Sequence, residues 1–181
     1  MKKIINYFNL KFNSNKIIGI FVCIVIFQFL LYVELINNPY KYTFYDLIIK
    51  QFQYLNLFYF LSFFFLLLLY NLCNSSSFYK YYHLKFKNKV QVYNINILTV
   101  FFTSIIFDVG LNLIAFIECI MNTSFENQWS EYFFHNMTGN VNLIFSEEIV
   151  KFITSTLSPL TYVIYTNILV ILYLTFLGVL F

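Results

Sequence analysis

Asn74–Asn94, NSSSFYKYYHLKFKNKVQVYN, is a polar, basic stretch lying between two long apolar runs. Lys80, Lys85, Lys87 and Lys89 crowd together in it, with no acidic residue to offset them. Positive charge beside membrane spans is retained on the cytoplasmic side. If the flanking runs cross a bilayer, this link lies inside, and the sidedness of every other segment follows. The amino end is then cytoplasmic, and so is the carboxyl end of a four-span chain.

The flanking runs do read as spans. The chain has 181 residues, 60% hydrophobic and 23% aromatic but only 10% charged, where a soluble domain carries roughly a quarter charged residues. Several runs approach or exceed the roughly 18 apolar residues of a spanning helix. Four are predicted, at about 17–36, 55–73, 96–121 and 160–181. A transmembrane β-barrel would need short alternating segments, and Phe63–Leu69, FFFLLLL, alternates nothing. The expected fold is therefore all-α, a polytopic integral membrane protein forming a single transmembrane domain over 1–181. The net charge of +3 is a topology signal, too small and scattered for a nucleic-acid footprint. The partner that composition implies is the lipid bilayer.

Outward from the link, the pattern supplies detail. Residues 1–16 place Met1, Ile4, Ile5, Phe8 and Phe12 on one helical face, suiting a cytoplasmic interfacial segment with its lysines near headgroups. The first span is interrupted by Gln28 and reaches Glu34, and Asn37-Asn38-Pro39 then marks a turn. Phe44, Leu47, Ile48, Phe52 and Leu55 follow helical spacing. They predict a helix lying along the outer surface, with Tyr40, Tyr42 and Tyr45 in the interfacial aromatic belt. Within the link, 74–94, Tyr79, Tyr82, Phe86 and Val90 form one stripe, and Lys80 and Lys87 lie off it. Such a helix can dock on a soluble protein or rest on anionic lipid.

The third span holds the only centrally placed acid. Ser104, Asp108, Asn112, Ala115 and Cys119 form a narrow polar-and-small stripe, with Glu118 to one side. An ionised carboxylate in hydrocarbon is expensive, so this stripe should face protein or water. It could wall a pathway, or it could join helices by hydrogen bonds. Residues 122–159 are acidic, with Glu126, Glu131, Glu147 and Glu148 against Lys151, as an external loop should be. Ser146-Glu147-Glu148 starts a helix there, and Trp129, Tyr132, Phe133 and Phe134 touch the membrane surface. The last span stops at Phe181 with no basic residue after it, which predicts a chain cut short at the membrane surface.

No catalytic constellation is visible, so the chain is not expected to be an enzyme. HExxH, G-x-S-x-G, a Gly-rich phosphate loop and CxxC are all missing from the sequence. Cys23, Cys73 and Cys119 have neither metal nor redox spacing, and His83 and His135 fall on opposite sides of the membrane. No cofactor or metal is expected.

Tyr45–Leu55, YDLIIKQFQYL, the Phe/Leu-rich second span and the link YKYYHLKFKNKVQVYN before the third span together carry a resemblance. The chain resembles the membrane subunits of ABC-2-like exporters of low-GC Gram-positive bacteria, including those attached to bacteriocin or lantibiotic export and self-immunity. The resemblance is one of pattern and covers most of the chain. It implies a coupling helix in the link, at Phe78–Lys89, where Tyr79, Tyr82, Lys85, Phe86 and Lys87 would contact a cytoplasmic ABC ATPase. Ser104, Asp108, Asn112 and Glu118 would then be path or packing residues. The family has six spans where four are counted here, so the resemblance implies a truncated permease, or one completed by a second membrane subunit or another copy. The competing expectations are a non-transporting binder, such as a bacteriocin immunity protein using Trp129–Phe134, and a structural accessory of a membrane complex.

Overall fold

In a computed structural model the described residues are 15–73, 89–120, 123–138 and 147–181. Their regular structure is helical throughout, apart from one isolated bridge between Thr43 and Ser124. The helices are α1 (Asn15–Ile36), α2 (Phe44–Gln51), α3 (Ser62–Cys73, entered through a π-helical segment, Asn56–Leu61), α4 (Lys89–Cys119), α5 (Glu131–Thr138), α6 (Glu147–Thr156) and α7 (Pro159–Leu180). The 1–16 segment and the 74–94 link, with Tyr79, Tyr82, Lys85, Phe86 and Lys87, lie outside the described residues except at their ends.

Ile17–Ile36, Asn96–Cys119 and Pro159–Leu180 are each long and apolar enough to cross a membrane. A fourth crossing is made if α2 and the segment Asn56–Tyr70, which meet at a 62° bend, count as one broken span. Each long helix sorts its residues by face. On α1, Ile17, Ile20, Ile24, Gln28, Leu31 and Leu35 are buried, while Ile18, Phe21, Val22, Val25, Ile26, Phe29 and Leu30 are exposed. The buried set recurs every three to four residues, as one face of an α-helix must. The outward set is as apolar as the inward one. That is the signature of a helix bundle solvated by hydrocarbon, where association comes from packing and hydrogen bonds rather than water exclusion. The chain is thus an all-α polytopic membrane protein.

The core shows that logic at close range. α7 packs along α4, and near its end Gly178 leaves room for the side chains of Val100 on α4 and Leu69 on α3. A Cβ at Gly178 would stand 2.6 Å from Val100 Cγ1 and 2.7 Å from Leu69 Cδ1. Phe65 meets Phe107 edge-on at 5.6 Å, filling the seam between α3 and α4.

At the opposite end, residues 123–138 fold over the helix ends as a fitted layer. Tyr132 N donates to Lys41 O (3.1 Å) and Phe44 N to Ser124 O (3.1 Å), fixing the layer to the chain before α2. Trp129 Nε1 donates to Leu157 O (3.0 Å) and Leu160 N to Asn127 Oδ1 (2.9 Å), fixing it to the α6–α7 junction. Ser158 caps α7, with Pro159 in its first turn, where a missing N–H costs nothing. Tyr40 stacks on His135 at 4.1 Å.

One expectation is corrected here. The helix predicted to lie along the outer surface is instead wedged inside the bundle, against α1, α4 and α7. Asp46, Leu47, Ile48, Ile49, Lys50 and Gln51 are all buried. Helical spacing reveals an apolar face, but burial of the other face depends on partners elsewhere. Lys50 finds Glu34 at 2.8 Å, and Gln51 finds Gln28 and Asn112. With those partners in place, its polar side no longer requires an interface.

Candidate functional site

The polar side chains of four helices meet where the broken span bends. α2 stops at Gln51, and Phe52–Leu55 turns the chain before the π-helical segment begins. Asn56 Nδ2 reaches back to Lys50 O at 2.8 Å, satisfying one of the carbonyls that a helix end leaves open. Ser62 Oγ donates to Leu57 O at 2.6 Å and shares a 3.0 Å bond with Tyr173 Oη of α7. Single π-turns inside helices occur frequently at functional sites. The bend delivers Gln51, whose side chain is fully buried, into the centre of the bundle.

From there a chain of amides crosses the protein. Gln28 Nε2 of α1 donates to Gln51 Oε1 at 2.6 Å and more weakly to Leu111 O at 3.4 Å. Gln51 Nε2 donates to Asn112 Oδ1 of α4 at 3.2 Å. Asn112 Nδ2 donates to Asn167 Oδ1 of α7 at 2.6 Å, and also lies 3.0 Å from Asp108 O and 3.4 Å from Asp108 Oδ2. Asn167 Nδ2 closes the chain on Val163 O at 2.7 Å. Gln28 precedes Ile36, Asn112 precedes Cys119 and Asn167 follows Pro159 by similar numbers of residues, which at ~1.5 Å per residue puts each about 11–12 Å from the covered helix ends. A hydrocarbon core is about 30 Å thick, so the chain of amides lies near mid-depth.

The stripe read from the third span faces inward, with Ser104, Asp108, Ala115 and Cys119 buried and Asn112 partly so. Its members do not act as one unit. Ser104 Oγ donates to Val100 O at 3.0 Å and accepts from Thr175 Oγ1 of α7 at 3.2 Å, a separate link nearer the far end. Asn112 is the hub of the amide chain. Asp108 is 3% exposed, and its Oδ1 has no hydrogen-bond partner. Glu118 stands apart toward the covered end, and its Oε2 is also unpartnered. Gln51 and Asn167 carry no mark in the sequence beyond being amides within apolar runs, and Gln28 reads there only as an interruption.

The aromatic segment Trp129–Phe134 is turned inward more than its composition suggests. Tyr132 and Phe133 are buried, Trp129 is half-buried against Phe133 at 4.2 Å, and Phe134 is the most exposed of the four rings. Among the described residues no group of His, Cys, Asp and Glu could hold a metal ion between three or more ligands.

The fold and its interior define a class, a polytopic helical membrane protein with a hydrogen-bonded polar centre at a 62° bend between two apolar helices. No protein-family model matches this sequence, and neither a curated protein nor a solved structure does.

Proposed function

We propose that the chain is a membrane subunit of a transporter in the cell membrane, with its amino end inside. A separate cytoplasmic ABC ATPase would drive it through the 74–94 link, moving a peptide or hydrophobic substrate. The observation that supports transport is the broken span. Transport sites are commonly built near mid-depth from discontinuous helices and the polar groups gathered at the break. Here a 62° bend coincides with amides from four helices, and the bend is a place where two arrangements of α2 and α3 can interconvert. The lysines and tyrosines of the link supply charge and aromatic surface for a soluble partner. The inward-turned rings of the outer layer make the binder reading the weaker one.

The test is a mild-detergent purification of the tagged full-length chain, with mass spectrometry of what comes with it. The expected result is recovery of an ATPase, lost in Lys85→Glu/Lys87→Glu while the membrane chain stays intact and monodisperse. Recovery of no ATPase, or full retention of association and ATPase activity in the charge-reversed variant, overturns the reading.

A further inference from the structure

The polar centre leaves two buried acceptors without a partner, one of them a carboxylate oxygen. Gln28 Nε2 commits both hydrogens, to Gln51 Oε1 and Leu111 O. Asn112 Nδ2 is divided among Asn167 Oδ1 and two oxygens of Asp108. Asn167 Nδ2 is engaged on Val163 O. Gln51 Nε2 makes one bond, to Asn112 Oδ1, and two acceptors are reached by none of these donors. Gln28 Oε1, on a fully buried side chain, and Asp108 Oδ1 are both shut off from solvent without a partner. The Asp108 carboxylate accepts one long bond, at Oδ2.

Nor do the packed elements supply a free counter-charge among the described residues. α3 and α7 have no Asp, Glu, Lys or His in their sequences, and of titratable groups bring tyrosines, of which Tyr173 is bonded to Ser62, and Cys73 at the end of α3. From α1 come Glu34 and, about 18 Å along the helix from Gln28, Lys16; α4 begins at Lys89, about 28 Å along the helix from Asp108; and from α2 come Lys50 and Asp46. Lys50 is held by Glu34 at 2.8 Å, while Asp46 accepts from Thr43 N and Oγ1. The other acid of α4 is Glu118, which would add to the negative charge. A buried carboxylate without a charge partner costs many times an ordinary hydrogen bond. A water molecule could supply donors, but it would leave the charge uncompensated.

We propose that Asp108 is the binding residue of a small monovalent cation, either a proton or an alkali-metal ion, at the centre of the bundle. The bound cation neutralises the carboxylate, and the Gln28–Gln51–Asn112–Asn167 chain ties that event to the bend of the broken span. The site is independent of the ATPase reading, since an ATP-driven subunit does not require one.

The test uses the full-length protein in detergent, with thermal unfolding followed across NaCl or KCl at constant ionic strength (choline chloride) and across pH in choline alone. Cation binding to the folded state raises Tm by about 2–4 °C for each kcal/mol of linkage in a chain of this size. A rise with sodium or potassium identifies an alkali ion. A fall as pH rises, with no alkali effect, identifies the proton. Asp108→Asn supplies its own donor and should lose the alkali effect and the larger part of the pH dependence, whereas Glu118→Gln should keep the alkali effect and the part of the pH dependence that Asp108 carries. A second measurement needs no variant: a hydrophobic carbodiimide should label Asp108 in the wild-type protein, as mapped by mass spectrometry. Labelling should be suppressed by the alkali ion in the first case and by high pH in the second. Wild-type Tm that responds to neither cation nor pH overturns the proposal. So does unchanged dependence in Asp108→Asn, or Asp108 labelling indifferent to both.

Discussion

Gln28 and Gln51 are joined by a 2.6 Å hydrogen bond between two fully buried side chains, one from an unbroken span and one from the end of a broken one. That bond connects the bend to the rest of the interior. Gln51 is also the donor to Asn112, so its position decides whether the amide chain is continuous from α1 to α7.

Truncating Gln28 leaves Gln51 Oε1 without its donor, and truncating Gln51 leaves Gln28 Nε2 only the long bond to Leu111 O and takes the donor from Asn112 Oδ1. Gln51→Ala should destabilise the protein by about 1–3 kcal/mol, the cost of an unsatisfied buried group. The double cycle with Gln28→Leu and Gln51→Leu should give a coupling of about 0.6–2 kcal/mol, the range for hydrogen bonds between membrane helices. Denaturant titration of the purified protein measures both. Additive single-variant effects would show that the bond contributes nothing to stability.

The close approach at Gly178 predicts a size limit. Gly178→Ala places a methyl against Val100 and Leu69 at distances no carbon pair tolerates, and overpacking of this kind costs about 1–3 kcal/mol. Gly110→Ala is the control. Its nearest neighbour, Phe21, is 3.9 Å from the new Cβ, so the change should be neutral or slightly stabilising through helix propensity. Equal thermal stabilities for the two variants would contradict the packing described for α4 and α7.

Lys50 and Glu34 form an asymmetric pair, with side chains 6% and 70% exposed. Glu34→Gln strands a buried ammonium, while Lys50→Met removes the charge and keeps the aliphatic volume. With Glu34 largely solvated, the first change should cost about 1–2 kcal/mol and the second should be near neutral. The comparison is a difference in Tm between the two variants, and the opposite ranking would remove the ion pair from the account of why α2 is buried.

Trp129 is the single tryptophan of the chain, so its fluorescence reports the outer layer alone. Wild-type emission should be blue-shifted, as expected for an indole packed on Phe133 and Tyr162. Tyr162→Ala should shift it to the red and speed proteolysis within 123–138. An emission maximum unchanged by Tyr162→Ala would place the ring in solvent or lipid.

The sequence alone determined the membrane class and the extent of the long helices. α1 and α7 overlap the runs at 17–36 and 160–181, and α4 covers 96–119 but begins at Lys89, within the 74–94 link. The overlap arises because hydrocarbon demands about 20 consecutive apolar residues and that demand is local. The turn at Asn37-Asn38-Pro39 was legible for the same reason, with Asn37 N closing on Val33 O and Tyr40 N on Asn38 Oδ1. The inward face of α4 could be read because an acid in a span must avoid lipid. Tertiary structure alone decided that α2 is buried, that the chain bends by 62° after it, and that Gln28, Gln51, Asn112 and Asn167 form one chain. A hydrogen bond between buried amides acquires its value only from a partner, and here the partners are separated by 23, 61 and 55 residues. Hydropathy scores each side chain against its solvent, whereas the folded protein lets polar groups solvate one another.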